Sequence, residues 1–75
     1  MIFRKWMIVA EPLSPADPIC RSAAMQWNAV WIGEKMNRYF TVTAAEMDTT
    51  RHAEIWGTWV DFKVVHRPTF EEGWR

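Results

Sequence analysis

Between residues 59 and 66 the chain alternates between two kinds of side chain, and this stretch constrains the fold more than any other. One set of alternate positions is apolar and consists of Val60, Phe62 and Val64. The positions between them are amphipathic and consist of Trp59, Asp61, Lys63 and Val65. A two-residue period rich in β-branched and aromatic residues is typical of a strand with two different faces. We therefore predict a strand here, with the apolar face turned to the core.

Two further segments have the composition of strands. Residues 2–10 are mostly apolar and lead into a proline-rich stretch, which cannot continue a hydrogen-bonded ladder. Residues 38–45 alternate between apolar side chains at Phe40 and Val42 and a second set at Tyr39, Thr41 and Thr43. We predict strands over 2–10 and 38–45, in addition to the strand after residue 58.

A helical period begins near residue 18. Asp17 can cap free backbone N–H groups and Pro18 suits the first helical position, although Ser14 before Pro15 is a second possible start. An apolar stripe follows at helical spacing, made of Cys20, Ala24, Trp27 and Trp31 and widened by Ile19, Ala23 and Val30. Gly33 or Asn37 could supply a left-handed residue that ends the helix. The alternative is a strand from residue 29 with a hairpin turn at 34–37.

The segment 44–56 has two readings. The pattern from Thr43 to Glu46 resembles a capping box, which would begin a second helix ending at Gly57. The polar run 48–52 contains weak helix formers and suits a hairpin loop, which we favour. In that case Gly57 lies in the third strand, at a bulge or bend.

These elements assemble most simply as an α+β domain with the order β-α-β-β. It would be a three-stranded antiparallel sheet with one helix packed on one face, formed by residues 1–66. The helix stripe would cover an apolar sheet face that consists of Phe3, Met7, Val9, Phe40, Val42, Val60, Phe62 and Val64. Residues 67–75, with Pro68 and Gly73, would be an extended or partly mobile tail.

Charge and cysteine content narrow the function classes. Nine basic and nine acidic residues balance, so no general field attracts nucleic acid or an anionic membrane. The single cysteine, Cys20, cannot form an intramolecular disulfide, and no apolar run is long enough to span a bilayer. The first ten residues lack the order of a signal peptide. We expect a soluble, cytoplasmic protein.

No reaction is indicated by the sequence. Cys20, His52 and His66 lack the short ligand spacings of zinc sites, and the glycines are isolated, so no phosphate loop is present. Cys20 lies on the predicted core stripe of the helix, where apolar surroundings would leave its thiol inert. We therefore expect no catalytic residues, no metal and no cofactor.

The sheet face opposite the helix is the predicted binding surface. Its expected members are Arg4, Trp6, Ile8, Tyr39, Thr41, Thr43, Trp59, Asp61, Lys63 and Val65. Trp, Tyr and Arg are over-represented at interface hot spots. We therefore assign partner binding to six of these residues, which are Arg4, Trp6, Tyr39, Trp59, Asp61 and Lys63.

The expected function is that of a non-enzymatic protein-binding module that occludes a surface of a larger partner. Compact, tryptophan-rich chains without catalytic motifs are often inhibitors or adaptors, including virus-encoded ones. Two other occupants of the face are a second copy of the chain, giving a homodimer, and the chain's own residues, such as Phe70, Trp74 or the 48–52 loop. Single-stranded nucleic acid could also stack on the aromatics, but Asp61 and the balanced charge disfavour it.

Overall fold

The computed structural model describes residues 4–73 as an α+β fold with a small sheet. The elements, in chain order, are β1 (Trp6–Pro12), α1 (Pro18–Trp31), a 3₁₀ helix η1 (Lys35–Asn37), α2 (Val42–Trp56), β2 (Val60–His66) and α3 (Arg67–Gly73). The sheet has two strands, β1 and β2, which pair antiparallel. The predicted three-stranded sheet is therefore wrong, because residues 38–45 contribute only an isolated bridge between Trp6 and Tyr39 before α2 begins.

The side chain of Asn37 occupies the place on β1 where a third strand would bond. Its Oδ1 accepts a 2.8 Å hydrogen bond from the Ile8 N–H, and its Nδ2 donates at 2.8 Å to the Ile8 carbonyl. Nδ2 also donates to the Trp31 carbonyl at 3.0 Å, near the end of α1. Asn37 is 2% exposed, so one buried amide reproduces both bonds that a neighbouring strand would make at Ile8.

The neighbouring positions of the same edge are bonded in similar ways. Asn28 of α1 accepts from the Ala10 N–H at 2.8 Å and donates to the Ala10 carbonyl at 2.9 Å. Trp6 exchanges backbone hydrogen bonds with Tyr39 at 3.1 and 2.8 Å. Pro12, the next residue in this row, has no N–H to satisfy. The outer edge of β1 is thus bonded without a continuous third strand.

The observed strand register gives both faces of the sheet a composition different from the one predicted from the sequence. Ile8 pairs with Val64 and Ala10 with Phe62, so these residues share the core face with Val60. The sequence assigns Met7 and Val9 to that face and Ile8 to the opposite one, which is wrong for all three. A one-residue difference in register moves every side chain to the other face. The predicted core positions Val60, Phe62 and Val64 are confirmed, with Val60 buried and the other two packed against the core.

The helix α1 follows its sequence signals closely. Asp17 is the N-cap and accepts a 2.9 Å hydrogen bond from the Ile19 N–H, and Pro18 is the first helical residue. The stripe residues Cys20, Ala23, Ala24 and Trp27 are buried, and Trp31 packs against the core. Two residues expected to widen the stripe, Ile19 and Val30, are 65% and 64% exposed.

The alternative strand from residue 29 is excluded, because α1 continues to Trp31. Its C-cap, Ile32, has an ordinary right-handed backbone, and no residue of the described range 4–73 has positive φ. Neither Gly33 nor Asn37 is the left-handed terminator expected from the sequence.

The segment 42–56 is a helix and not the favoured hairpin loop. Thr41 is the N-cap of α2, with its side-chain oxygen accepting a 3.1 Å hydrogen bond from the Ala44 N–H. The cap therefore lies two residues before the Thr43 expected from the capping-box pattern. Gly57 is the C-cap of α2 and precedes β2, so it is not a bulge within the strand.

The core lies between the sheet and the two long helices. α1 packs mainly on β1, and α2 packs on both strands, mainly on β2. Trp27 is the largest fully buried side chain, and its indole contacts Trp31, His52 and Phe62 with ring centroids 5.0 to 6.0 Å apart. Edge-to-face contacts between aromatic rings add to the free energy of area burial. The aromatic cluster therefore joins α1, α2 and β2.

The remaining expectations concern the two ends of the chain. Phe3 and Trp74 lie outside the described residues. In the segment expected to be an extended tail, Arg67–Gly73 form α3. No helix within residues 4–73 is both long and apolar enough to cross a membrane.

Candidate functional site

The six residues assigned to partner binding do not form one surface. Trp6 and Tyr39 lie at the end of the sheet where β1 begins, and the Trp6 ring packs edge-on against His66 at 5.2 Å. Arg4 is exposed at the same end, with its guanidinium 4.6 Å from the ring centroid of Phe40. These contacts are made within the chain, and they engage three of the six residues.

Asp61 and Lys63 lie side by side on β2, on the face away from the core. Their side chains form an ion pair of 2.9 Å, and each is 51% exposed. The ion pair raises the pKa of Lys63. On the opposite strand they face Glu11 and Val9. They are accessible charged groups, but Val9 and its neighbour Met7 are buried, so this face is not open along β1.

Trp59 lies at the other end of the sheet from Trp6. Its carbonyl accepts a 2.9 Å hydrogen bond from Leu13, just beyond the last residue of β1. Six residue-to-residue steps of strand lead from Trp6 to Pro12, which places the two ends about 20 Å apart. The predicted cluster of Trp6, Tyr39 and Trp59 is therefore absent.

A groove beside Trp59 is the site that the structure offers instead. It has a volume of about 420 Å³ and lies between the first half of α1 and the turn that joins α2 to β2. Its lining residues are Pro18, Ile19, Ser22, Ala23, Gln26, Trp56 and Trp59. The α1 members recur every three or four residues, so they lie along one side of that helix.

The turn that carries Trp59 depends on glycine at position 57. The Gly57 N–H donates a 2.8 Å hydrogen bond to the Ala53 carbonyl, and a Cβ on Gly57 would lie 2.5 Å from that oxygen. Any other residue would therefore have to shift the backbone of α2 or of the turn. Trp59 N–H in turn donates to the Trp56 carbonyl at 3.0 Å. Gly57 thus positions both tryptophans of the groove.

The groove is bordered by exposed apolar side chains. Trp59 is 39% exposed, and Ile19 on the facing side of the groove is 65% exposed. Leu13, bonded to Trp59 through the backbone, is 57% exposed. Adjacent exposed apolar side chains of this size are characteristic of interaction surfaces, unlike apolar residues scattered singly. Sequence reasoning assigned Trp59 to binding but missed Ile19, because its helical position indicated burial.

The polar groups of the groove offer little to a polar ligand. Gln26 donates a 3.2 Å hydrogen bond to Ser22, so the two neutral polar side chains of the lining bond to each other. None of the described residues that line the groove is charged. Small-molecule sites usually hold a few convergent polar groups that fix orientation. The groove is therefore better suited to an apolar side chain than to a charged metabolite or a phosphate.

A second groove, of about 410 Å³, lies on another side of α1. It is lined by Met25, Asn28, Ala29, Ile32 and Phe70. Among these, Asn28 is committed to the edge of β1. None of the described residues that line this groove is a tryptophan, a residue type enriched at interface hot spots.

A polar network ties α2 to the preceding segment. The Tyr39 hydroxyl donates to Asp48, and Arg51 bonds the same carboxylate at 3.0 and 3.2 Å. Burial, together with the bond to Asp48, raises the pKa of Tyr39. Burial also acts to raise the pKa of Asp48, but the bonds from Tyr39 and Arg51 outweigh it and hold that pKa below its ordinary value. Each polar group has a partner, so the network has a structural explanation.

His52 of α2, which follows Arg51, is buried among aromatic rings. Its Nδ1 lies 3.4 Å from the Trp27 indole nitrogen, which can only donate, so Nδ1 is the acceptor. Burial lowers the pKa of His52, although the Asp48 carboxylate at 3.9 Å acts to raise it. The neutral imidazole is the form that fits this position.

Cys20 is a free, buried thiol whose sulfur lies 3.7 Å from the Asp17 carboxylate. Within the described part of the chain, no three His, Cys, Asp or Glu side chains are grouped to hold a metal ion.

No protein-family model matches the chain, and comparison with curated proteins and with solved structures finds no significant similarity. Function therefore has to be argued from the geometry of the groove.

Proposed function

We propose that the chain is a non-enzymatic protein-binding module that docks an apolar segment of a larger partner in the groove between α1 and Trp59. The observation that carries the proposal is the position of Trp59, a partly exposed indole on the rim of a groove whose described lining residues are all uncharged. By covering the partner's apolar segment, the module would block other contacts at that surface, as an inhibitor or adaptor does.

The chemistry of the groove favours a protein over other partners. Tryptophan is among the residues enriched at interface hot spots, and apolar segments of proteins bind in hydrophobic grooves through a few anchor side chains. Nucleic acid would need basic side chains near the aromatics, and none of the lining residues that the structure describes is basic. The proposal includes a cytoplasmic location, for which the single cysteine of the sequence is the supporting observation.

Trp59→Ala tests the proposal, because it removes the indole but keeps the backbone bond to Leu13. Apolar peptides selected from a random library against the wild-type chain serve as the probe. The variant should bind them roughly 30-fold more weakly, corresponding to about 2 kcal/mol for a central aromatic. Circular dichroism and thermal unfolding should show that the variant remains folded.

Met25→Ala is the matched control, because Met25 is an exposed apolar residue that lines the second groove. It should leave peptide affinity unchanged. Ile19→Ala, on the rim facing Trp59, should weaken binding in the same direction as Trp59→Ala. If Met25→Ala abolishes binding and Trp59→Ala does not, or if no peptide is selected, the assignment to this groove is wrong.

A further inference from the structure

The outer edge of β2 has backbone groups that bond to no residue in the part of the chain that the structure describes. Val64 pairs with Ile8 and Phe62 with Ala10, and the backbone groups of Ile8 and Ala10 bond away from β2, to Asn37 and Asn28. In an antiparallel pair, directly opposed residues either both bond across the pair or both point outward. The N–H and C=O groups of Phe62 and Val64 therefore point away from β1. Within residues 4–73 no hydrogen bond reaches them.

The side chains of β2 limit the registers in which a second strand could pair with its outer edge. Only residues with outward-pointing backbone groups can bond across the new contact, which fixes the parity of the register. A two-fold pairing centred on Asp61 would place the two Asp61 side chains opposite each other, and one centred on Lys63 would do the same with the two lysines. A pairing centred on Val64 would place Lys63 of each copy opposite Val65 of the other. A pairing centred on Phe62 places Asp61 of each strand opposite Lys63 of the other. Opposite charges directly across an antiparallel pair stabilise it.

We propose that β2 pairs antiparallel with β2 of a second copy of this chain, centred on Phe62, to form a two-fold dimer with a four-stranded sheet. Phe62 of one copy then exchanges both backbone hydrogen bonds with Phe62 of the other. Asp61 and Lys63 meet their counterparts in the closer, non-hydrogen-bonded positions on the exposed face. The dimer proposal rests on the backbone edge and the charges of β2 and not on the lining of the groove, although this register places Trp59 of one copy opposite Val65 of the other.

A lysine next to a sheet edge ordinarily discourages edge-to-edge pairing. Here Lys63 is already neutralised by Asp61 at 2.9 Å, and both side chains are half-exposed. In the register centred on Phe62, Asp61 and Lys63 each gain a second residue of opposite charge, from the other copy. In the neighbouring two-fold registers they would instead lie opposite a like charge or an apolar residue. The pair thus selects one alignment of two identical strands. An edge contact of two short strands buries little area, so we expect weak association, with a dissociation constant between roughly micromolar and millimolar.

Asp61→Lys tests the pairing with little effect on the isolated fold. Within the chain Asp61 faces Glu11, so lysine at 61 is opposite an acidic residue. Across the dimer, however, it would oppose Lys63 of the second copy. Sedimentation equilibrium over a wide concentration range should show wild-type dimers and an increase of at least about tenfold in the dissociation constant of the variant, because two symmetric charge pairs change sign. Amide spectra of the dilute samples confirm folding.

The double variant Asp61→Lys/Lys63→Asp is the decisive control, because it exchanges the charges and restores opposite charges across the dimer. Its dissociation constant should return close to the wild-type value. A wild-type chain that stays monomeric at millimolar concentration would overturn the proposal. So would equal association of wild type and Asp61→Lys, or failure of the double variant to recover.

Discussion

The two edges of the same small sheet are bonded in opposite ways. On β1, side-chain amides from Asn28 and Asn37 and the backbone of Tyr39 take the outward-facing groups. On β2, the outward-facing groups of Phe62 and Val64 have no partner within the described residues. The difference shows that asparagine side chains from helical segments can bond the backbone groups of a strand edge in place of a neighbouring strand. The other edge is left available, and its charged residues restrict what can pair with it.

Asn37→Ala should have the largest effect on this difference. It removes three hydrogen bonds made by a side chain that is 2% exposed, and it leaves the Ile8 N–H and the Ile8 carbonyl unpaired. The Trp31 carbonyl keeps its bond from the Glu34 N–H. Each buried group without a partner costs about 1–3 kcal/mol, so we expect the free energy of unfolding to fall by roughly 3–5 kcal/mol. Urea denaturation measures the change.

Asn28→Ala is the matched comparison, because it removes two bonds to the same edge from a half-buried position where water can partly replace them. Its cost should be smaller, about 1–2 kcal/mol. Equal and small losses for both variants would mean that the asparagines do not hold the edge.

α2 packs on the core face of β2, and its residue His52 should make the stability of the fold sensitive to acid. The unfolded chain protonates His52 near its ordinary pKa of 6.5, whereas burial lowers the pKa in the folded chain. Between these two pKa values the unfolded state binds more protons, so stability decreases as pH falls below about 6.5 and is fully present above it. Protonation would also place a hydrogen on Nδ1, which accepts from Trp27.

Urea denaturation at a series of pH values should show this decrease, and His52→Gln should flatten it between pH 6.5 and the folded-state pKa. His66→Gln is the control, since His66 lies at the end of β2 outside the aromatic cluster, and should keep the wild-type slope. A wild-type stability that does not change below pH 6.5 would show that His52 is not held neutral by the fold.

Local signals explain the parts of the fold that the sequence predicts. The Asp17–Pro18 start of α1 and the alternation in β2 each depend on neighbouring residues, and both are confirmed. The segment 38–45 also has local strand signals, in Tyr39, Phe40 and Val42. Here the Thr41 cap begins a helix, and β1 needs no third strand because asparagine side chains bond its edge. Local propensity gives way to these tertiary contacts.

The six residues predicted to bind a partner do not share one surface, because register is not a local property. Residues 7–10 are all apolar, so β1 has no alternation that tells its two faces apart. Met7 and Ile8 lie on opposite faces of β1 and both are fully buried, so neither face is exposed at these positions. The exposed position of Trp59 was correctly expected, but its neighbours are residues of α1 and not Trp6 and Tyr39. Long-range pairing decides which predicted residues meet.

Amide hydrogen exchange tests the difference between the two edges most directly. In dilute solution, where the chain is monomeric, the amides of Ile8 and Ala10 should exchange at least about a hundredfold more slowly than those of Phe62 and Val64, since only the former pair is hydrogen-bonded. All four amides belong to the same sheet, so global unfolding affects them equally. Equal protection of Phe62 and Ile8 in the monomer would contradict the account, because it would require a bonding partner for the β2 edge within the chain itself.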